Sequence, residues 1–166
     1  MSALLTSTIA SPIGTLHMLT RGETVLALTH SGFSNLLSTL SLRELEEKIT
    51  KTAKVPGVTE KIIDYFDGNL KAINSIKVKQ PGGDFSQAAW ASMRKIKVGT
   101  MESYADLAYR AGSPAAVRAA GSACAKNKIA VIIPCHRIIK SGGAIGAYGW
   151  GVETKIWLLK HEGALS

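Results

Sequence analysis

Only two cysteines, Cys124 and Cys135, occur in 166 residues, which excludes the disulfide-stapled class of small secreted domains. The four histidines are scattered and no Cys-x-x-Cys or His-x-x-x-His spacing occurs, so no metal site is expected. No apolar run approaches the ~20 residues that span a bilayer. The start Met1-Ser2-Ala3-Leu4-Leu5 lacks the basic region and long apolar stretch of a secretion signal, so the expected location is intracellular, where both cysteines stay thiols. Acidic side chains are scarce, 12 Asp and Glu against 20 Lys and Arg, a formal net charge of +8. That points to an anionic partner such as nucleic acid without proving it, because ribosomal and membrane-surface proteins share the excess. Internal repeats and low-complexity tracts are absent as well. What is present, 46% hydrophobic and 19% charged residues, is a globular composition long enough for one or two compact units.

The first third alternates short apolar segments with turns: residues 4–10, the turn Ser11-Pro12-Ile13-Gly14, residues 15–20, Arg21-Gly22-Glu23, then residues 24–30. That rhythm predicts a β-meander. Leucines 36, 37, 40 and 45 with Ile49 keep helical spacing and predict one helix over residues 33–49; another spans 60–66, and 71–80 reads as a further strand. Pro81-Gly82-Gly83 breaks the chain and separates an expected N-terminal scaffold unit, 1–80, from an expected C-terminal unit, 81–166. Beyond the break, Asp84 with Gln87 predicts a capping box, Ser103 with Asp106 predicts a second, Ser113-Pro114 opens a third helix, and a last helix covers about 152–161. Only Arg110-Ala111-Gly112 separates the second from the third, the length and glycine content of a helix-turn-helix. The expected fold class is α+β: a small antiparallel sheet with helices, then a mostly helical unit containing the helix-turn-helix.

The helix at 114–125 has hardly any large polar side chains. Reading bases in the major groove takes long donors and acceptors, and this helix has one, Arg118. Small side chains let a backbone approach closely, which suits the minor groove; the alternative is an Ala-rich helix buried among its neighbours. Further on, Pro134-Cys135-His136-Arg137 follows the apolar run Ile129-Ala130-Val131-Ile132-Ile133. A thiol beside an imidazole and a guanidinium is a nucleophile pattern, since neighbouring cations stabilise a thiolate. The alternative is a cysteine acting as a small buried hydrophobe. Taken singly, Tyr104 packs the first turn of its helix, Asn127 suits a helix C-terminus, and Glu162 is an exposed helix-end acid. Residues 141–151 hold five glycines but lack the Gly-Lys-Ser/Thr ending of a phosphate loop.

Residues 127–139, from Asn127 through Pro134-Cys135-His136-Arg137 to Ile138-Ile139, resemble the active-site signature of the O6-alkylguanine-DNA alkyltransferases, also called methylated-DNA-protein-cysteine methyltransferases. Ser103-Tyr104-Ala105-Asp106-Leu107-Ala108, Arg118-Ala119-Ala120-Gly121, Gly146-Ala147-Tyr148-Gly149 and the stretch from Lys155 to Gly163 extend the resemblance in order and spacing over residues 84–163. Ser11-Pro12-Ile13-Gly14-Thr15-Leu16 resembles the family's opening strand pair.

The resemblance implies a DNA-repair protein that acts once, with Cys135 taking the alkyl group from O6-alkylguanine, or from the related O4-alkylthymine, by SN2 displacement. No cofactor is implied, because the lesion is itself the donor. Arg118 is implied to fill the space of a flipped nucleotide. Tyr104 is implied to crowd the lesion's phosphate and supply a proton to guanine N3. His136 is implied to reach Cys135 through a bridging water, with Glu162 orienting His136 and Asn127 tying the helix-turn-helix to the cysteine segment. Arg118, Tyr104, Ala119, Gly121 and Ser122 are the implied DNA contacts; Cys124, Ile138, Tyr148, Gly149 and Trp150 are the implied pocket lining. Trp150 is expected to narrow the pocket mouth and Arg137 to form a structural ion pair. The implied partner is double-stranded DNA carrying alkylated bases, with no membrane; the protein is expected to be a monomer in the nucleoid-bearing cytoplasm of a prokaryote or the nucleus of a eukaryote.

Lys97 stands where the family usually has proline, and Thr100-Met101 replaces the commoner Glu-Thr. Three other readings stand beside the resemblance. A non-catalytic lesion binder of the alkyltransferase-like kind carries tryptophan at the cysteine position. A helix-turn-helix regulator needs base-reading side chains, and a cysteine hydrolase needs its histidine distant in sequence.

Overall fold

In the computed structural model, residues 2–32 and 36–166 are described, and the chain divides into two compact units, Met1–Gln80 and Pro81–Ser166. The first is built on β1 (Leu4–Ile9), β2 (Leu16–Arg21) and β3 (Thr24–Thr29), paired antiparallel as the meander predicts. Gly22 turns the β2–β3 connection at φ +59, a conformation that costs a side-chain-bearing residue far more. Two short strands, β4 (Ile49–Lys51) and β5 (Lys77–Val78), pair parallel at the edges, giving the order β4-β1-β2-β3-β5.

The helix predicted over 33–49 does not form as one element, and its residues 33–35 lie outside the described residues. Ser41 begins a separate short helix, α1 (Leu42–Leu45), through a capping box with Glu44, and Ile49 belongs to β4 beside Leu4. Leu40 and Ile49 pack on a cluster of Leu19, Ala27 and Leu36, while Leu42 is 85% exposed. The leucine spacing serves a sheet face in pieces, and local capping decides where a helix starts. The next helix, α2 (Thr59–Phe66), buries Thr59, Ile62, Tyr65 and Phe66 along one stripe. A 3-10 turn at Ala72–Ser75 seats Ile73 in the interior, which shortens the strand expected over 71–80 to the two residues of β5.

The second unit starts with α3 (Asp84–Met93). Its N-cap is Gly83, without a side-chain cap, so the capping box expected from Asp84 and Gln87 does not form. The helix begins one residue earlier than that box requires, just after Gly82, which passes so close beneath Trp90 that a Cβ there would lie 2.6 Å from the indole. Asp84 instead sits in the first turn, where its charge favours the helix dipole. The chain then makes a tight turn in which the Thr100 hydroxyl donates to the Lys97 carbonyl at 2.6 Å, so Lys97 and Thr100 close one turn and Met101 follows it.

Next comes β6 (Glu102–Ser103), running directly into α4 (Tyr104–Arg110), which Ser103 and Asp106 cap reciprocally as predicted. The following helix, α5, spans Val117–Lys126 and not 114–125. Ala116 N–H first closes a turn on the Ser113 carbonyl at 2.9 Å, and proline's fixed φ suits such a turn as well as it suits a first helical position. After a buried irregular segment, the 3-10 turn Cys135–Arg137 leads into β7 (Ile138–Ile139), parallel to β6. The unit ends with α6 (Val152–His161). Among the described residues no helix is long and apolar enough to cross a membrane.

Replacing Ser103 by Ala removes the acceptor for the Asp106 N–H, 3.0 Å away, and is expected to lower stability by about 1 kcal/mol. Urea unfolding followed by circular dichroism checks this: the midpoint falls at unchanged slope, and a wild-type midpoint would mean that the cap carries no stability.

Candidate active site and nucleic-acid interface

Pairing of Glu102 with Ile138 and Ser103 with Ile139 brings the start of α4 beside the cysteine turn. The approach to that turn is buried throughout residues 129–138. Within it Val131 has φ +72, a left-handed conformation that a β-branched side chain resists by roughly 1–2 kcal/mol. Asn127 straps this loop: its Oδ1 accepts from Ile129 N–H at 3.0 Å and its Nδ2 donates to the Ile133 carbonyl at 2.8 Å. The same Nδ2 donates to Cys135 Sγ at 3.3 Å. Asn127 is also the C-cap of α5, so its two sequence readings hold together.

Cys135 is 7% exposed. Burial pushes its thiol up, while the Asn127 amide and the Lys155 charge pull it back without prevailing. The expectation that neighbouring cations hold a thiolate is therefore corrected: the resting group is a thiol. The two adjacent basic side chains are committed elsewhere. Arg137 donates to Glu162 at 2.9 and 3.1 Å and to the Ile96 carbonyl at 2.8 Å, the structural ion pair that was expected. His136 Nε2 lies 2.8 Å from Glu162 Oε2.

Glu162 is not the exposed acid that its position by itself implies; it is 4% exposed, at the C-cap of α6. Burial alone would raise its carboxyl, but the His136 and Arg137 bonds outweigh that and hold it at about 2. Burial lowers His136 despite the glutamate, so at neutral pH the ring is uncharged. A carboxylate at Nε2 requires the proton on that nitrogen, which leaves Nδ1 with a free lone pair. That atom is buried and has no hydrogen-bond partner among the described residues. It is the basic end of the ring.

Lys155 completes the surroundings. Fully buried, its Nζ donates to the Ile138 carbonyl at 2.6 Å and the Ala147 carbonyl at 3.2 Å, joining β7 to the glycine-rich loop. Desolvation lowers its proton affinity and the two thiols oppose that. Motif spacing does not single it out. The available signal is that Lys155, Leu158, Leu159 and Glu162 recur at i, i+3, i+4 and i+7, so two charged residues occupy an otherwise apolar stripe.

Tyr104 is half-buried, its phenol raised by burial and then by the nearby Cys124 and Cys135. A Cβ on Gly146 would stand 3.5 Å from its hydroxyl and 3.7 Å from Lys155 Nζ, so the absence of a side chain at Gly146 keeps this space open. Cys124 is pushed up to about 12, chiefly by burial. Tyr148 sits edge-on to His136 at 6.4 Å, and Trp150 lies 6.2 Å from Tyr148. Ile138 is buried and Gly149 exposed. On α5, Ala120 and Ala123 face inward while Arg118, Ala119 and Ser122 are exposed and Gly121 is half-buried. The helix is thus buried on one face and carries small exposed side chains on the other. Arg118 stands on the outer face, apart from the buried Cys135 cluster.

A family model described as the DNA-binding domain of 6-O-methylguanine DNA methyltransferase matches residues 84–164. A methylated-DNA–protein-cysteine methyltransferase of Shigella flexneri is 35% identical over 170 residues, covering 99% of each chain. That of Salmonella typhimurium is 40% identical over 109 residues, 66% of this chain and 64% of that protein, so the match spans slightly under two thirds of that relative. Among solved structures, Mycobacterium tuberculosis OGT in complex with DNA superposes with a TM-score of 0.74 at 30% identity, covering 96% of this chain and 93% of that chain.

The pH dependence of stability follows from the buried pair. Both groups bind protons less readily when folded, so folding loses stability on acidification. The His136 contribution starts to go below its ordinary 6.5, and that of Glu162, complete above 4.5, is lost as the pH falls toward about 2. Glu162→Gln is expected to cost about 3 kcal/mol at pH 7, because Arg137 is left buried without its counter-charge, and to lose the limb below 4.5. Urea midpoints measured from pH 8 to pH 3 check this; equal acid slopes in both proteins would overturn it.

Proposed function

Because the chain belongs to the methylated-DNA–protein-cysteine methyltransferases, we propose that it repairs alkylated DNA by direct reversal, moving the alkyl group of O6-alkylguanine onto its own Cys135. The observation that carries this reading is the buried set in which Glu162 holds His136 at 2.8 Å with its basic Nδ1 unengaged, next to a thiol already hydrogen-bonded by Asn127. In the reaction the Cys135 proton passes to His136 Nδ1 through a bridging water. The sulfur then attacks the alkyl carbon, an S–C bond forms, the C–O6 bond breaks, and the electron pair leaves on guanine. Tyr104 donates a proton to guanine N3 as the base departs. The thioether is stable, so each molecule reacts once.

A base inside a duplex is out of reach of a buried sulfur, so the lesion is flipped. The exposed face of α5 supports this: Ala119, Gly121 and Ser122 leave room for the minor groove, and Arg118 takes the place of the extruded base. In this reading α4 and α5 form the helix-turn-helix. The second unit carries 11 of the basic residues and 5 of the acidic ones, a net +6 of the chain's +8, which favours a phosphate backbone there. The first unit serves as scaffold. Trp150, beside Tyr148, narrows the mouth of the base pocket.

Incubation with duplex oligonucleotide carrying O6-methylguanine, followed by peptide mass analysis, is expected to place one methyl group on Cys135. Cys135→Ala should bind DNA without transfer and Cys124→Ala should still react; methyl on Cys124 of the wild-type protein would defeat the assignment. Arg118→Ala is expected to slow repair of the duplex by at least tenfold while changing reaction with the free modified base little, an energetic difference of about 1.4 kcal/mol or more. Equal losses on both substrates would show that Arg118 does not act in extrusion.

A further inference from the structure

Trp90, 4% exposed on α3, donates its Nε1–H at 2.9 Å to the carbonyl of Ala123 in the last turn of α5. That carbonyl needs a donor from outside the helix. In a continuing helix it would accept the N–H of Asn127, but that N–H instead donates to the Cys124 carbonyl at 3.3 Å, and at ψ 116 Asn127 turns the following chain out of the helix. The departure frees the Asn127 side chain to reach Ile129, Ile133 and Cys135 Sγ. A buried carbonyl left without a partner is costly, and the indole removes that cost. Gly82 serves the same ring, since a Cβ there would lie 2.6 Å from it.

We propose that Trp90 is a positioning residue for the nucleophile: its indole N–H holds the end of α5 so that Asn127 stays outside the helix and donates to Cys135 Sγ. Without that donor the Ala123 carbonyl is best satisfied by the Asn127 N–H, α5 lengthens by a residue, and the amide leaves the sulfur. The proposal rests on Cys135 being the reacting thiol.

The test is the pH profile of Cys135 alkylation by iodoacetamide, read from the mass of its peptide, in the intact protein without DNA. Trp90→Phe keeps an aromatic ring and deletes the donor; Gly82→Ala pushes the indole aside; Asn127→Ala is the reference. A loss of the Asn127 contact moves the profile to higher pH, with a roughly three- to tenfold lower rate at pH 7, equivalent to half to one unit in thiol acidity. Ala108→Gly, which destabilises the same unit through α4, is expected to leave the profile in place. A shift in either Trp90→Phe or Gly82→Ala in the direction of Asn127→Ala supports the proposal. Wild-type profiles in both, or no shift in Asn127→Ala, overturn it. Failure of methyl transfer from DNA would defeat the proposed function and leave these profiles as they are.

Discussion

A carboxylate sealed from water must be surrounded by donors, and the second unit is organised around that requirement. Glu162 is held by His136 and by both arms of Arg137, and Arg137 in turn grips the Ile96 carbonyl. One charge thus ties the end of α6 to the cysteine turn and to the segment after α3. A buried pair that loses one partner is strongly destabilised, while the intact pair contributes little net stability. The arrangement is therefore better understood as orientation than as reinforcement. It fixes the imidazole tautomer and leaves Nδ1 as the base.

The nucleophile is set by a competition in which burial prevails. Desolvation raises the Cys135 thiol, and the Asn127 amide with the buried Lys155 ammonium offsets only part of that rise. Adjacency in sequence counts for little here, because the guanidinium and imidazole beside the cysteine point at Glu162. A thiol that remains protonated until a base accepts its proton is also less exposed to stray electrophiles.

Backbone conformation around Asn127 links the two halves of the site. The residue ends α5, spans the left-handed bend at Val131 and touches the sulfur. Ending the helix there leaves a buried carbonyl, and an indole from another helix satisfies it. Small residues at Ala120 and Ala123 allow the helices to approach, while the outward face of α5 keeps only Arg118 as a long side chain before its last turn. One helix in this way packs inward and presents a low-relief surface outward.

Local signals carried the three-stranded meander, the Ser103 cap and the last helix, since each depends on turn chemistry, reciprocal capping or spacing within a few residues. Motif order along 84–163 carried the family. Where distant packing competes with local pattern, the sequence by itself misled: the leucines of 36–49 divide between a sheet face and a separately capped short helix, and Pro114 closes a turn instead of opening α5. Lys155 and Glu162 lie on the apolar stripe of α6, yet only the fold decides that they are buried with partners 17 and 26 residues away in sequence. Residue identities determined which groups were available for the chemistry. The tertiary structure decided their protonation, because proton affinity depends on desolvation and on donors that the chain brings together only by folding.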